Sequence, residues 1–310
     1  MKVVHPLPYE PIRVRRMPSE CHPHGERLDT GGLPRYPAWS PDGRYIALVM
    51  AKNGVWVLDL ESLTMELVLQ DPRGSWMRPL WGLDGCSIWL SGPGSIRAFR
   101  RTATGWQQHQ TQATALWTRW AEWMTEGGCA GIGLPVHGGA ASILVMDVNL
   151  KPIRCLEPRL HTGEPLRIWW TEFPCWWVPG ESILVTALDG TKPATFVVDT
   201  ATGVGEPTRV GEPARGRVHC YARATAAPTL VGFLTSDQTT DQGSEAVQIV
   251  KLRMETAAGR VGARDVAAWN VSALDFHSPV AVSPDGERVV FVSDNFELEL
   301  FPLEPTPLPG

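Results

Sequence analysis

A tight turn followed by an apolar run, written six times along one chain, limits the fold more than any other feature of this sequence. The clearest copy is "PAWSPDGRYIALVMAKNGVWVLDLE", Pro37 to Glu61. Its turn, Trp39-Ser40-Pro41-Asp42-Gly43, precedes the run Arg44–Met50. Two copies follow at a spacing of 42 residues: Trp81-Gly82-Leu83-Asp84-Gly85 before Cys86–Leu90, and Trp123-Met124-Thr125-Glu126-Gly127 before a run of small residues. Next come Trp176-Trp177-Val178-Pro179-Gly180 before Glu181–Ala187 and a weaker copy centred on Tyr221 before Thr229–Thr235. The last is Val282-Ser283-Pro284-Asp285-Gly286 before Glu287–Ser293.

Each turn has a physical logic. Proline pre-sets φ, aspartate hydrogen-bonds the local backbone, and glycine accepts a positive φ. Gly43 and Gly286 are therefore expected at positive φ. The flanking runs alternate or are wholly apolar, as half-buried and buried strands are. The first unit predicts four strands: Tyr36–Ser40, Arg44–Met50, Gly54–Leu60 and Met65–Gln70, with "DLESLT" as a second turn. Helical periodicity is nearly absent; "TALWTRWAEWM" is the one short exception, and its tryptophans fit the repeat better. Four strands per roughly 40–45 residues, repeated, is the pattern of a propeller blade.

"PAWSPDGRYIALV", "GVWVLDLES" and "VAVSPDGERVVFVSD" resemble the blade repeats of TolB-like propellers, relatives of WD repeats. The resemblance covers Leu33 to the C-terminus and implies an all-β, six-bladed β-propeller of four-stranded antiparallel blades, with seven blades as the alternative. The wide gap between Tyr221 and Val282 is where a seventh would fit; otherwise "SDQTTDQGSE", Ser236–Glu245, is a loop insertion. After the last turn only Glu287–Ser293 and Phe296–Pro302 remain before the tail, so the sixth blade lacks an outer strand. Ile12–Arg16 is expected to supply it and close the ring, covering an otherwise open edge. The expected organisation is a segment 1–30 with the closing strand, a propeller 31–304 and a Pro-rich tail 305–310. The tryptophans of the repeat, Trp39, Trp81, Trp123 and Trp176, are expected to wedge between blades.

Composition narrows the function classes. A chain of 310 residues with 43% hydrophobic content holds one large domain or two ordinary ones. Net charge is −5, which argues against nucleic acid as a partner. No apolar run approaches the ~20 residues that span a bilayer, so no membrane contact is expected. "MKVVHPLPYEPIRVRR" lacks the apolar core of a signal peptide. The six cysteines stand singly, without C-x-x-C pairs, which predicts reduced, buried thiols and a cytoplasmic protein.

No catalytic constellation emerges. There is no G-x-S-x-G, no room for a hydrolase domain, and no phosphate-binding loop in "GGCAGIGLPVHGG", which fits a small-residue blade strand better. In "ECHPHGERLD", His22 and His24 face one way on an extended strand, with Cys21 and Glu26 beside them; they suit either a zinc ion or an exposed turn. The turn is the expectation, with no metal and no cofactor.

The binding candidates come from the repeat. In TolB-like blades the first strand of each unit lines the axis. Four residues before the repeated tryptophan position lie Arg35, Met77, Arg119, Glu172, Arg217 and Ser278, with Arg78 beside Met77. Arg35, Arg78, Arg119 and Arg217 are thus expected to gather at one channel mouth and to hold a carboxylate, a phosphate or an acidic segment of a partner protein. "RIWWTEFPCWWVPG" crowds aromatics that one blade cannot bury, so Trp169 and Trp170 are expected to reach the surface or a partner. The leading expectation is a non-enzymatic interaction scaffold or complex subunit. The alternative is a propeller enzyme or small-ligand sensor using the channel, marked by acidic or histidine residues converging on the axis.

Overall fold

The structure, a computed structural model, describes residues 11–19, 24–51, 53–71, 76–168, 173–189, 192–208, 281–293 and 297–302. It also describes strands between 217 and 271 by their backbone alone. It is an all-β propeller of antiparallel blades, with no helix among the described residues.

The first blade runs Pro34–Trp39, Tyr45–Met50, Gly54–Asp59 and Thr64–Gln70, within a residue or two of the expected strands. Its two middle strands are apolar and buried except for half-buried Tyr45 and the terminal Asp59, because neighbouring blades cover both faces. The second blade spans Leu80 to Ala113 and the third Leu116 to Leu156. "TALWTRWAEWM" contributes a strand, Leu116–Trp120, and the glycine-rich segment the next, Cys129–Pro135. The fourth blade spans Arg167 to Thr208, with Arg159–Leu160 added in parallel at its outer edge.

The last blade joins both ends of the chain, but not in the expected way. Ala281–Val282, Arg288–Val292 and Leu298–Pro302 are extended by Glu26–Asp29, which pairs directly with Leu298–Leu300, and then by Arg15–Pro18. Ile12–Arg13 crosses instead to the outer edge of the first blade, pairing with Thr64 and Met65. The expectation that Ile12–Arg16 is the outer strand therefore needs correction. Pairing decides it: Glu26–Asp29 takes the edge of Leu298–Pro302, while Leu28 and Val14 are both buried in the core that the first and last blades share.

Five blades are described through their side chains, where the repeat predicted six. The four-stranded antiparallel sheet Arg217–Arg223, Leu230–Gln238, Gln248–Thr256 and Arg264–Val271 is described by backbone pairing only, in the stretch where the repeat is weakest. Ser236–Gln238, expected in a loop, belongs to a strand there.

The turns carry out the chemistry read from them. Ser40 Oγ donates to Asp42, the Arg44 N–H donates to Asp42 and the Tyr45 N–H to Ser40 Oγ. Ser283, Asp285, Glu287 and Arg288 repeat the same bonds. Gly43 and Gly286 have φ of 69° and 78°. Trp39, Trp81 and Trp176 wedge between blades, each donating its indole N–H to a backbone carbonyl of the neighbouring blade: Ala281 at 3.1 Å and Ala38 at 2.9 Å on inner strands, and Trp123 at 2.8 Å just past one. Trp123 differs; it stays half-buried. Of the described cysteines, Cys129 and Cys175 are buried but Cys86 and Cys155 are exposed, because they fall on a turn and an outer strand. Burial raises the pKa of the Cys129 thiol.

Candidate functional site

Each innermost strand runs toward the turn that follows it, so the repeated turns collect at one mouth of the propeller. There they wall a cup of about 420 Å³. Pro41, Leu83, Thr125, Pro179 and Pro284, one from each blade described through its side chains, contribute to its lining. Trp39, Trp123, Met124 and Val282 line it as well. Arg78 and Glu122 are the charged lining residues.

The cup ends on a plug of side chains from four blades. The Arg78 guanidinium, 1% exposed, reaches from the second blade to the carbonyls of Trp120 at 2.6 Å and Pro174 at 3.4 Å. It also lies 4.9 Å from the ring centre of Phe173, and Arg119 lies 4.6 Å from the same ring. Tyr36 meets that ring at a centroid distance of 5.3 Å. Each cation gains from the face of the ring, and their mutual repulsion away from water works against that gain. Tyr36 adopts φ of 55°, strained for an aromatic residue. The pairing of its strand shifts register between Arg35 and Ala38. Glu122, 9% exposed, accepts the Trp176 N–H at 3.1 Å.

The arginine collar expected at this mouth is not what the side chains build. Arg119 is 4% exposed and absent from the lining of the cup. Arg35 is half-buried near the start of its strand, away from the turn. Arg78 alone among the candidates lines the cup, and it is committed to backbone carbonyls. Arg217 begins a strand whose side chains are not described, and Trp169 and Trp170 lie outside the described residues, as do Cys21 and His22. Glu26 instead pairs with Arg16 at 3.3 Å.

The rim is acidic. Asp42, Asp84, Glu126, Glu181, Asp285 and Glu287 are exposed in the turns beside the cup. Leu83 and Val178 are exposed there as well, at 49% and 40%. The sequence already held this signal, since an acidic residue sits one or two positions after each lining residue of the turns.

No protein-family model and no curated protein matches the sequence. Solved structures match at the level of fold. A putative TolB from Agrobacterium tumefaciens superposes with a TM-score of 0.57 at 16% identity, over 90% of this chain and 94% of that one. A chain of a mitotic checkpoint complex gives 0.55 at 13% identity over 98% of each. An oligogalacturonate lyase in complex with manganese gives 0.56 at 10% identity, over 95% of this chain and 98% of that one. At these identities the likeness is one of fold, and the fold shared is the β-propeller.

Proposed function

We propose that this chain is a protein-interaction propeller, a scaffold or subunit of a larger assembly, that receives a partner at its turn-side mouth. The observation that carries this is the cup: five blades each place a turn residue in one wall, exposed Leu83 lines it, and exposed Val178 directly precedes the lining residue Pro179. Apolar area clustered around a concavity is what a protein partner covers. The lining is mostly prolines, tryptophans and aliphatic side chains, which offer contact area, and its two charged members, Arg78 and Glu122, are bonded to the backbone. One structural neighbour of this fold comes from a multi-protein complex, which agrees with the reading; another is a lyase.

The same proposal takes the Arg217–Val271 sheet as a sixth blade and the ring as closed. Its inner strand Arg217–Arg223 lies against Cys175–Val178 on one side and Ala281–Val282 on the other. Trp39 and Arg288 tie the first blade to the last, through the Ala281 and Gly43 carbonyls.

The test is to recover the partner from source cells by affinity capture, identify it, and titrate it against purified protein. A Leu83→Gln/Val178→Gln variant should weaken binding by about tenfold or more, the scale of losing a buried aliphatic contact, with an unchanged melt. Val136→Gln, on the opposite face, should bind normally. Equal affinity for all three would place the interface away from the mouth.

A further inference from the structure

Resting on the reading of the mouth as a protein site, we infer that the segment it takes is an apolar or proline-bearing stretch flanked by lysine or arginine, not an acidic one. The cup accepts the apolar side chains, and the rim selects the flanking charges. The exposed rim carboxylates divide into two kinds. Asp42, Asp84 and Asp285 hold their own turns, accepting backbone N–H bonds from Arg44, from Cys86 and Ser87, and from Glu287. Glu126, Glu181 and Glu287 carry no such duty in the turns, yet each stands within three residues of a cup-lining position.

The cations nearby do not cancel this field. Arg44 is held by Asp59 at 2.7 Å and Glu61 at 3.0 Å, which leaves the Arg44–Asp59–Glu61 group itself net negative. Arg288 is half-buried, stacked 4.9 Å from the Trp39 ring and bonded to the Gly43 carbonyl. Arg100 sits 3.8 Å from Asp84. Arg78 keeps its charge while bonded to the Trp120 and Pro174 carbonyls, but Glu122 lines the same cup and offsets it. A rim dominated by carboxylates around an apolar depression attracts a cationic segment, repels an anionic one, and speeds encounter with the former.

The experiment is selection of a displayed library of random peptides on the whole chain, with the Leu83→Gln/Val178→Gln variant used to identify mouth-dependent binders. The result expected is enrichment of apolar or proline cores flanked by lysine or arginine. A synthetic peptide of the winning sequence should lose about tenfold or more in affinity when salt rises from about 0.05 M to about 0.5 M. It should lose as much in a Glu126→Lys/Glu181→Lys/Glu287→Lys variant whose melt is unchanged. Mouth-dependent binders that are acidic or uncharged, or basic ones indifferent to salt and to the triple reversal, would overturn the inference while leaving the mouth as a protein site. Binders that ignore the Leu83/Val178 change altogether would overturn both.

Discussion

At the residue scale, one carboxylate links the repeat to acid stability. Asp59 ends the third strand of the first blade. Burial works against its charge, but the Arg44 guanidinium and the N–H groups of Glu61 and Ser62 outweigh that and hold its pKa below the ordinary 3.8. A depressed carboxylate pKa contributes stability that is complete above the unfolded value and is lost as pH falls through the folded one. The melting temperature should therefore decline as pH drops below about 4. Asp59→Asn should lower the melt at neutral pH and flatten that acid decline. Thermal melts of both proteins across the range check this; parallel acid slopes would remove Asp59 from the explanation. The residue scale is also where sequence reasoning slipped. The residues that plug the axis, Tyr36, Arg78 and Phe173, stand three positions before the repeated tryptophan, not four. A shift of one residue turns a strand side chain to the opposite face in a regular strand, yet Arg119, four positions before Trp123, meets the same Phe173 ring as Arg78, so spacing from the tryptophan does not by itself fix which arginines reach the plug.

At the scale of the element, the turns and strands were legible because their determinants are local. Serine, proline, aspartate and glycine at fixed offsets dictate the hairpins at Gly43 and Gly286 before any tertiary contact forms. The N-terminal strands were not legible in the same way. Their partners are set by which distant core accepts Val14 and Leu28, and no local pattern encodes that. The segment straddles two blades: the Val14 N–H donates to Leu63 and Arg16 to Leu60 on the first blade, while Glu26–Asp29 completes the last. Two truncations should therefore differ. Removing residues 1–18 deletes the two outermost short strands, Ile12–Arg13 and Arg15–Pro18, and should lower the melt. Removing residues 1–30 also uncovers Leu298–Pro302 and the site of Leu28, and should lower it much further or prevent folding. Equal melts for the two truncations would mean that Glu26–Asp29 does not cover that edge.

At the scale of the whole molecule, the symmetry of the fold turns a one-dimensional repeat into a ring-shaped surface. A lining residue and an acidic residue beside it in one turn mean little; arrayed around the axis they make an apolar cup with an acidic rim. The central claim is that this mouth meets a protein. The most direct measurement is site-specific photo-crosslinking in source cells, with a benzophenone amino acid placed at Leu83 or, on the opposite face, at Val136. Both positions are exposed, at 49% and 37%, so the two probes differ chiefly in which face they report. The account predicts a discrete protein adduct from position 83 that is absent from position 136. Adducts from position 136 alone, or none from position 83, would contradict it.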